Sequence, residues 1–468
     1  MAARRSEPFS NVDAAWLHME DPTNLMMITG VLMFDAPVDF ARFQAVVERR
    51  LLRFERFRMR VANLHQRAAA PRWELDPHFS IRSHVHRIAL PAPGDQGALQ
   101  ELVSDMMSTP LDFTKPLWQF HLVENFEGGS AVITRLHHAI ADGIALVQVL
   151  LSLTDDSPDA AEDAPARDGT RGAPGALLGQ VRAAVGRAVR AGGMLVSEGL
   201  ETLTDPERAL EAAWLGASGA AALNKLLFMP PDPPTPLKGE LGVEKRAAWS
   251  QPIPLEDVKA VGRLARGTVN DVLINAVAGA LRRYLIRRGA PVEGLNIRAV
   301  VPVNLRPLDE PVTELGNRFG VVFLALPIGI DDPFDRLLEL RRRTEAIKGS
   351  PEAVVAFGIL NLIGASPPRL ADMAVEMFGS KATAVMTNVP GPREPIYLAG
   401  TRVSKTMFWV PQSGHLGLGV SIFSYAGAVL LGVASDARLV PDPDAIVADF
   451  HAELGELVRL AHTVAGAC

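Results

Sequence analysis

The chain is poor in the residues that staple a fold, cross a membrane or grip nucleic acid. It has one cysteine in 468 residues, and a lone thiol makes no internal disulfide, which fits a reducing cytoplasm. That cysteine, Cys468, is the last residue, and a chain end is a poor place to hold a nucleophile still. Only three tyrosines occur, aromatics do not interleave with basic residues, and the net charge is −6, so no nucleic-acid face is expected. The longest apolar runs, such as Val321–Leu326, have strand length and fall far short of the ~20 residues of a spanning helix. No apolar segment follows Arg4-Arg5, so no signal peptide is expected, and any lipid contact is peripheral. No GxSxG elbow is present, which disfavours a serine hydrolase. Gly414, Gly417 and Gly419 lack the strand–helix setting of a dinucleotide fingerprint. The scattered histidines form no cluster with acids at ligand spacing, so neither a metal nor a bound cofactor is expected. His84 and His86 read as a partly exposed strand edge.

What is present is concentrated in seven residues, His137-His138-Ala139-Ile140-Ala141-Asp142-Gly143. The preceding Ala131–Leu136 alternates like a strand, and Ile144–Leu151 reads as a buried helix. The histidines therefore sit where a strand ends, a place from which a rigid scaffold can present an imidazole to a cleft. Imidazole takes and returns a proton near neutral pH. A base of this kind, removing a hydroxyl proton during acyl transfer, contributes about 10²–10⁴-fold in rate. Successive residues of a strand point to opposite sides, so the two rings cannot both face one cavity. His138 is the expected base and His137 a neighbour that shapes the turn. Asp142 either orients the imidazole or faces away and pairs with an arginine; the second role suits an acid beside a glycine turn better, with Arg306 as one candidate partner. Gly143 is expected to allow a tight or left-handed backbone.

At 468 residues the chain exceeds one compact core, and two domains are the prior. The first is expected to span 1–153. A segment from 154 to 245 combines an Asp/Ala/Pro/Gly-rich linker with connecting helices near 176–200 and 206–228. The second domain is expected over 246–468. Around 176–189, Leu177, Leu178, Val181, Val185 and Val189 oppose Arg182, Arg187 and Arg190, a pattern that fits either a helix packed on the protein or one lying at a lipid surface. The stretch 213–229 is the other candidate for lipid contact. Asn270-Asp271 precedes an apolar helix and fits an N-terminal cap. The apolar helix that contains Phe357, Ile359 and Leu360 is expected near an acyl tunnel, with plain core as the simpler reading.

The heptad resembles the HHxxxDG motif of the bacterial wax ester synthase/acyl-CoA:diacylglycerol acyltransferase family. The likeness extends along most of the chain: Asn11–Glu20, Pro110–Asp112 through Pro116-Leu117-Trp118, Thr268–Val272, Val301–Arg306, Gly316-Asn317 and Thr387–Pro392. Such ordered blocks are more specific than the heptad alone, which condensation domains share. The resemblance implies an α/β (α+β) fold of two chloramphenicol-acetyltransferase-like domains, mixed sheets flanked by helices, with a tunnel between them. It implies the second motif histidine, here His138, as base. It also implies Asn270 as a tunnel-side amide that holds substrate or the developing oxyanion. The catalytic set expected is thus His138, His137, Asp142, Gly143 and Asn270, with Asp271, Phe357, Ile359 and Leu360 in substrate binding. Lys238 stands where relatives usually carry Asn.

The reading this supports is a cytoplasmic O-acyltransferase, peripheral to a membrane or to lipid inclusions. It moves a long-chain acyl group from acyl-CoA to a fatty alcohol or diacylglycerol without a covalent acyl-enzyme. Acyl-CoA is then a co-substrate and no cofactor is needed. A condensation-type transferase with a carrier-bound donor, and a non-catalytic lipid-binding relative, are the alternatives.

Overall fold

The computed structural model describes residues 6–63, 71–160, 218–305, 315, 317, 319–348, 350–412 and 414–466. The linker beyond 160, the helix expected over 176–200, most of that expected over 206–228, Gly316, Arg306 and Cys468 lie outside these residues.

Two mixed sheets organise the chain. The first has six strands in the order β13 (Tyr397–Leu398), β14 (Thr401–Trp409), β2 (Met27–Phe34), β7 (Gly129–His137), β6 (Trp118–Phe126) and β5 (Val85–Ala89). The second runs β11 (Phe319–Leu326), β10 (Ile297–Asn304), β12 (Ala384–Pro390), β15 (Leu418–Tyr425), β16 (Ala428–Asp436) and β8 (Lys245–Trp249), with β9 (Ile253–Pro254) also on β16. A small sheet joins β1 (Ser6–Pro8), β4 (Arg72–Leu75) and β3 (Met59–Ala62).

The strand expected over Ala131–Leu136 lies within β7, and the strand-length run Val321–Leu326 lies within β11. β2 and β7 lie in mid-sheet and are buried along their whole length; β2 is a near-continuous apolar run, whereas β7 keeps the alternation seen in Ala131–Leu136. The turn at Gly128-Gly129 joins β6 to β7, and Gly128 has φ +81°, a backbone that favours glycine. The apolar helix expected after Asn270-Asp271 is Val269–Arg287, and the one expected to contain Phe357, Ile359 and Leu360 is Glu352–Ala365; Gln96–Met107, Pro333–Lys348 and Pro443–Gly466 are further helices.

One feature was not legible in sequence. β14 comes from the C-terminal part of the chain but pairs antiparallel with β2, Met407 opposite Val31 and Phe408 opposite Gly30. Residues from both ends of the chain thereby complete the first sheet. Among the described residues, no single helix is long and apolar enough to cross a membrane.

Candidate active site

The site is built at the end of β7. The His137 N–H donates to the Leu117 carbonyl (3.0 Å) and that of His138 to Met26 (2.8 Å), so adjoining segments pin both residues. The turn closes through Ile140 N–H to the His137 carbonyl, 3.0 Å. Asp142, extended and buried, then caps the helix Gly143–Leu151 by accepting the Ala145 N–H at 2.8 Å. An N-cap thus explains one oxygen of the motif acid. Gly143 is a correction. It is the first residue of that helix and has no left-handed backbone. An added Cβ would meet only Val410, at an ordinary 3.7 Å. What glycine supplies is open wall, since Gly143 lines the cavity described below.

The two rings diverge as strand alternation requires. His137 Nδ1 accepts the Ala139 N–H (3.0 Å), which places its proton on Nε2, 3.4 Å from Glu20 Oε2. His137 therefore braces the turn. His138 instead lines a cavity of about 1250 Å³ together with Trp16, Asp142, Gly143, Gln148, Asn304, Thr387 and Asn388. The Trp16 indole stacks on the His138 ring at 4.0 Å and 22°, and Phe319 tilts against it at 5.5 Å. Burial lowers the His138 pKa to about 3, against the partial opposition of its own carbonyl and of Asn317. The ring is thus neutral at any working pH. Nδ1 is buried and makes no hydrogen bond of ordinary geometry.

A second layer fixes the ring's backbone. Asn317 Nδ2 donates to the His138 carbonyl (2.9 Å) and to Asp13 Oδ1 (2.7 Å), and its backbone N–H donates to the same oxygen at 3.2 Å. Burial raises the Asp13 pKa, with Asn317 and Arg56 opposing the rise. Asp13 and Trp16 are three residues apart on the helix Asn11–His18 and so share a face. One residue holds the His138 main chain through Asn317, and the other holds the ring. The sequence blocks around Asp13, Trp16 and Asn317 flagged these positions, but nothing in them announced a shared contact.

Other expected residues lie elsewhere. Asn270 is not on the wall of this cavity; its Oδ1 accepts from Asn388 Nδ2 (2.8 Å), and Asn388 takes the wall position. Asp271 is a correction as a substrate-binding residue. It is buried in a capping box with Thr268, both N–H and Oγ of which donate to Asp271 Oδ2 (2.9 and 2.7 Å), while its Oδ1 accepts from Thr344 at 2.9 Å. Thr268, not Asn270, is the cap. Ile359 and Leu360 line a second cavity of about 680 Å³ beside the first. Phe357, on the same helix, packs against the main apolar core and lines neither cavity. Lys238 is a tie to main chain, donating from Nζ to the carbonyls of Ser380 and Ala382. His84 is buried, bonded through Nδ1 to the Trp118 carbonyl, rather than partly exposed. Sequence reasoning missed Gln148, Asn304, Thr387 and Asn388 as wall residues. Their signal was a polar side chain inside an otherwise apolar strand or helix.

Comparison with known proteins places this geometry. The family model "Wax ester synthase/diacylglycerol acyltransferase catalytic domain" matches residues 9–273, and the "WS/DGAT C-terminal domain" matches 315–458. A Mycobacterium tuberculosis protein, named provisionally as a diacylglycerol O-acyltransferase, is 30% identical over 97% of this chain and 90% of its own. The wax ester synthase/diacylglycerol acyltransferase from Marinobacter aquaeolei VT8 superposes with a TM-score of 0.69 at 22% identity, over 97% of this chain and all of that one. The first condensation domain of the calcium-dependent antibiotic synthetase shares the fold with a TM-score of 0.60 at 16% identity, over 98% and 96% of the two chains.

Proposed function

The chain belongs to the wax ester synthase/diacylglycerol acyltransferase family and is an acyltransferase; from that premise we propose that it moves a long-chain acyl group from acyl-CoA to the hydroxyl of a fatty alcohol or diacylglycerol, with His138 as general base. The observation that carries this reading is a neutral, ring-stacked imidazole on the wall of a cavity otherwise lined largely by apolar side chains. The acceptor hydroxyl gives its proton to the cavity-facing nitrogen of His138, taken as Nε2, while its oxygen bonds to the thioester carbonyl carbon. The tetrahedral intermediate then expels sulfur as the C–S bond breaks. The imidazolium returns the proton to that thiolate, so the ring ends neutral and no acyl-enzyme forms. Burial disfavours the imidazolium, which hastens the return. The His138 carbonyl, fixed by Asn317, offsets part of that cost. We assign Asn388 as the amide beside the developing oxyanion and Asn270 as the residue that holds Asn388.

The test is release of thiol from palmitoyl-CoA with hexadecanol or diacylglycerol as acceptor. His138→Ala is expected to lower the rate by about 10²–10⁴-fold while leaving unfolding unchanged. Near-normal turnover in that variant would overturn the base assignment, and turnover only with a carrier-bound donor would favour the condensation-type reading.

Peripheral contact with a membrane or lipid inclusion is part of the same proposal. Phe228 is 78% exposed, Leu362 69% and Met373 66%, on three helices (residues 218–228, Glu352–Ala365 and Pro368–Gly379) that contribute to the second cavity. Large apolar side chains left in water around an apolar cavity suit a lipid surface. Phe228→Ser with Met373→Ser is expected to weaken flotation with phospholipid vesicles; undiminished binding would remove this face from the account.

A further inference from the structure

Gln148 is the one polar residue of the helix Gly143–Leu151, whose other members are glycine, alanine, valine, leucine and isoleucine. An amide on such a helix ordinarily points to solvent or bonds to the protein. Here the side chain stands on the wall of the main cavity, beside Gly143, Val147 and Leu151 of the same helix. Its Oε1 is buried, with no hydrogen-bond partner among the described residues. Other polar groups on that wall are already engaged. Asp142 caps the helix, Thr387 Oγ1 donates to Ser421 Oγ (3.1 Å), and Asn388 Nδ2 donates to Asn270 Oδ1 (2.8 Å). A buried acceptor without a donor costs stability, and a ligand that supplies the donor recovers it.

The chemistry of the substrates narrows what that donor is. A fatty alcohol brings only the hydroxyl whose proton goes to His138. Diacylglycerol adds ester carbonyls, which accept hydrogen bonds and donate none. The pantetheine arm of an acyl thioester carries a secondary amide two methylenes from the sulfur, with both an N–H and a C=O. A carboxamide matches that group on both counts. Gln148 lies six residues past Asp142, ~9 Å along the helix, and long helical side chains lean toward the N-terminus. That is the end at which the His138 turn enters. We propose that Gln148 binds the pantetheine amide nearest the thioester, Oε1 accepting its N–H, and so holds the thioester carbonyl beside His138. The inference rests on the acyl-CoA reading and adds the residue that reads the donor's polar arm rather than its acyl chain.

The test compares two donors that differ at the amide. Palmitoyl-N-acetylcysteamine keeps the thioester and the amide, whereas S-pentyl hexadecanethioate has carbon at the amide positions. With hexadecanol as acceptor, the unaltered protein is expected to favour the amide donor by about tenfold in kcat/KM, the worth of one or two hydrogen bonds to a buried group. In Gln148→Leu that ratio should fall to about one, since the partner amide is gone. Gln148→Met replaces the leucine variant should that one unfold. Where a truncated donor is not turned over, the same ratio is read from its inhibition of palmitoyl-CoA turnover. A Gln148 that only supports the helix, or only holds water, would lower both donors alike and leave the ratio intact, which would overturn the inference. A ratio near one in the unaltered protein would do the same. So would a changed preference between hexadecanol and diacylglycerol with the donor ratio unmoved, because the amide would then serve the acceptor. Absence of thiol release from palmitoyl-CoA by the unaltered protein would instead defeat the acyl-CoA reading itself.

Discussion

The two sheets divide the work unequally. The first carries the histidine pair: β7 ends at it, and the following turn holds the His137 ring through the Ala139 N–H, while Trp16 stacks on the His138 ring. The second supplies the surroundings: β10 and β12 bring Val300, Asn304, Thr387 and Asn388 to the facing wall. Asn317, just before β11, reaches across to the His138 carbonyl and to Asp13. β14 crosses in the opposite sense and completes the first sheet. The difference teaches that a general base needs one well-held ring, which a short local motif can encode. A cavity wall needs side chains from many strands, which no short motif can.

The largest effect that separates the two halves is expected at Asn388. Asn388→Ala should lower kcat by about 10²–10³-fold, as loss of an aimed amide donor does. Asn270→Ala should cost less, because it acts through Asn388. A greater loss at Asn270 would reverse this order and return that residue to the reacting groups.

A smaller effect sharpens the contrast between site and scaffold. Asp271→Ala removes a capping box and the Thr344 bond, and should cost about 1–2 kcal/mol of stability in denaturant unfolding. KM for both substrates should stay unchanged. A raised KM without a loss of stability would restore Asp271 to substrate binding.

The smallest expected effect is a flat line. Burial holds the His138 pKa near 3, so the ring carries no proton above that value. A base is active when unprotonated, so kcat/KM should not fall as pH drops from about 8 to 5, where a free histidine would take its proton. An acid limb near the ordinary histidine value would show either a wetter ring or another base.

Much of the site's first sheet was readable without coordinates. The strand Ala131–Leu136 and the divergence of His137 from His138 follow from alternation. Gly143 misled because a motif glycine suggests a left-handed turn, whereas here it opens a wall. Asp271 misled because a helix cap and a site residue look alike in sequence, and only the positions of Thr268 and Thr344 tell them apart. The helix Pro368–Gly379 passed unread: Leu370, Met373 and Met377 face outward while the small Ala371 is buried, so most of its large apolar residues do not mark the packed side. β14 was invisible as a partner of β2, since pairing of Val403–Trp409 with Thr29–Phe34, at opposite ends of the chain, leaves no local trace.

By itself the sequence determined the family, the histidine-pair motif and the periodic elements, because each depends on residues near one another in the chain. The tertiary structure alone decided that Trp16 lies on His138, that Asn388 rather than Asn270 forms the wall, and that a second apolar cavity adjoins the first. Those outcomes depend on which distant surfaces exclude water together, and burial is a property of the assembled core rather than of any segment.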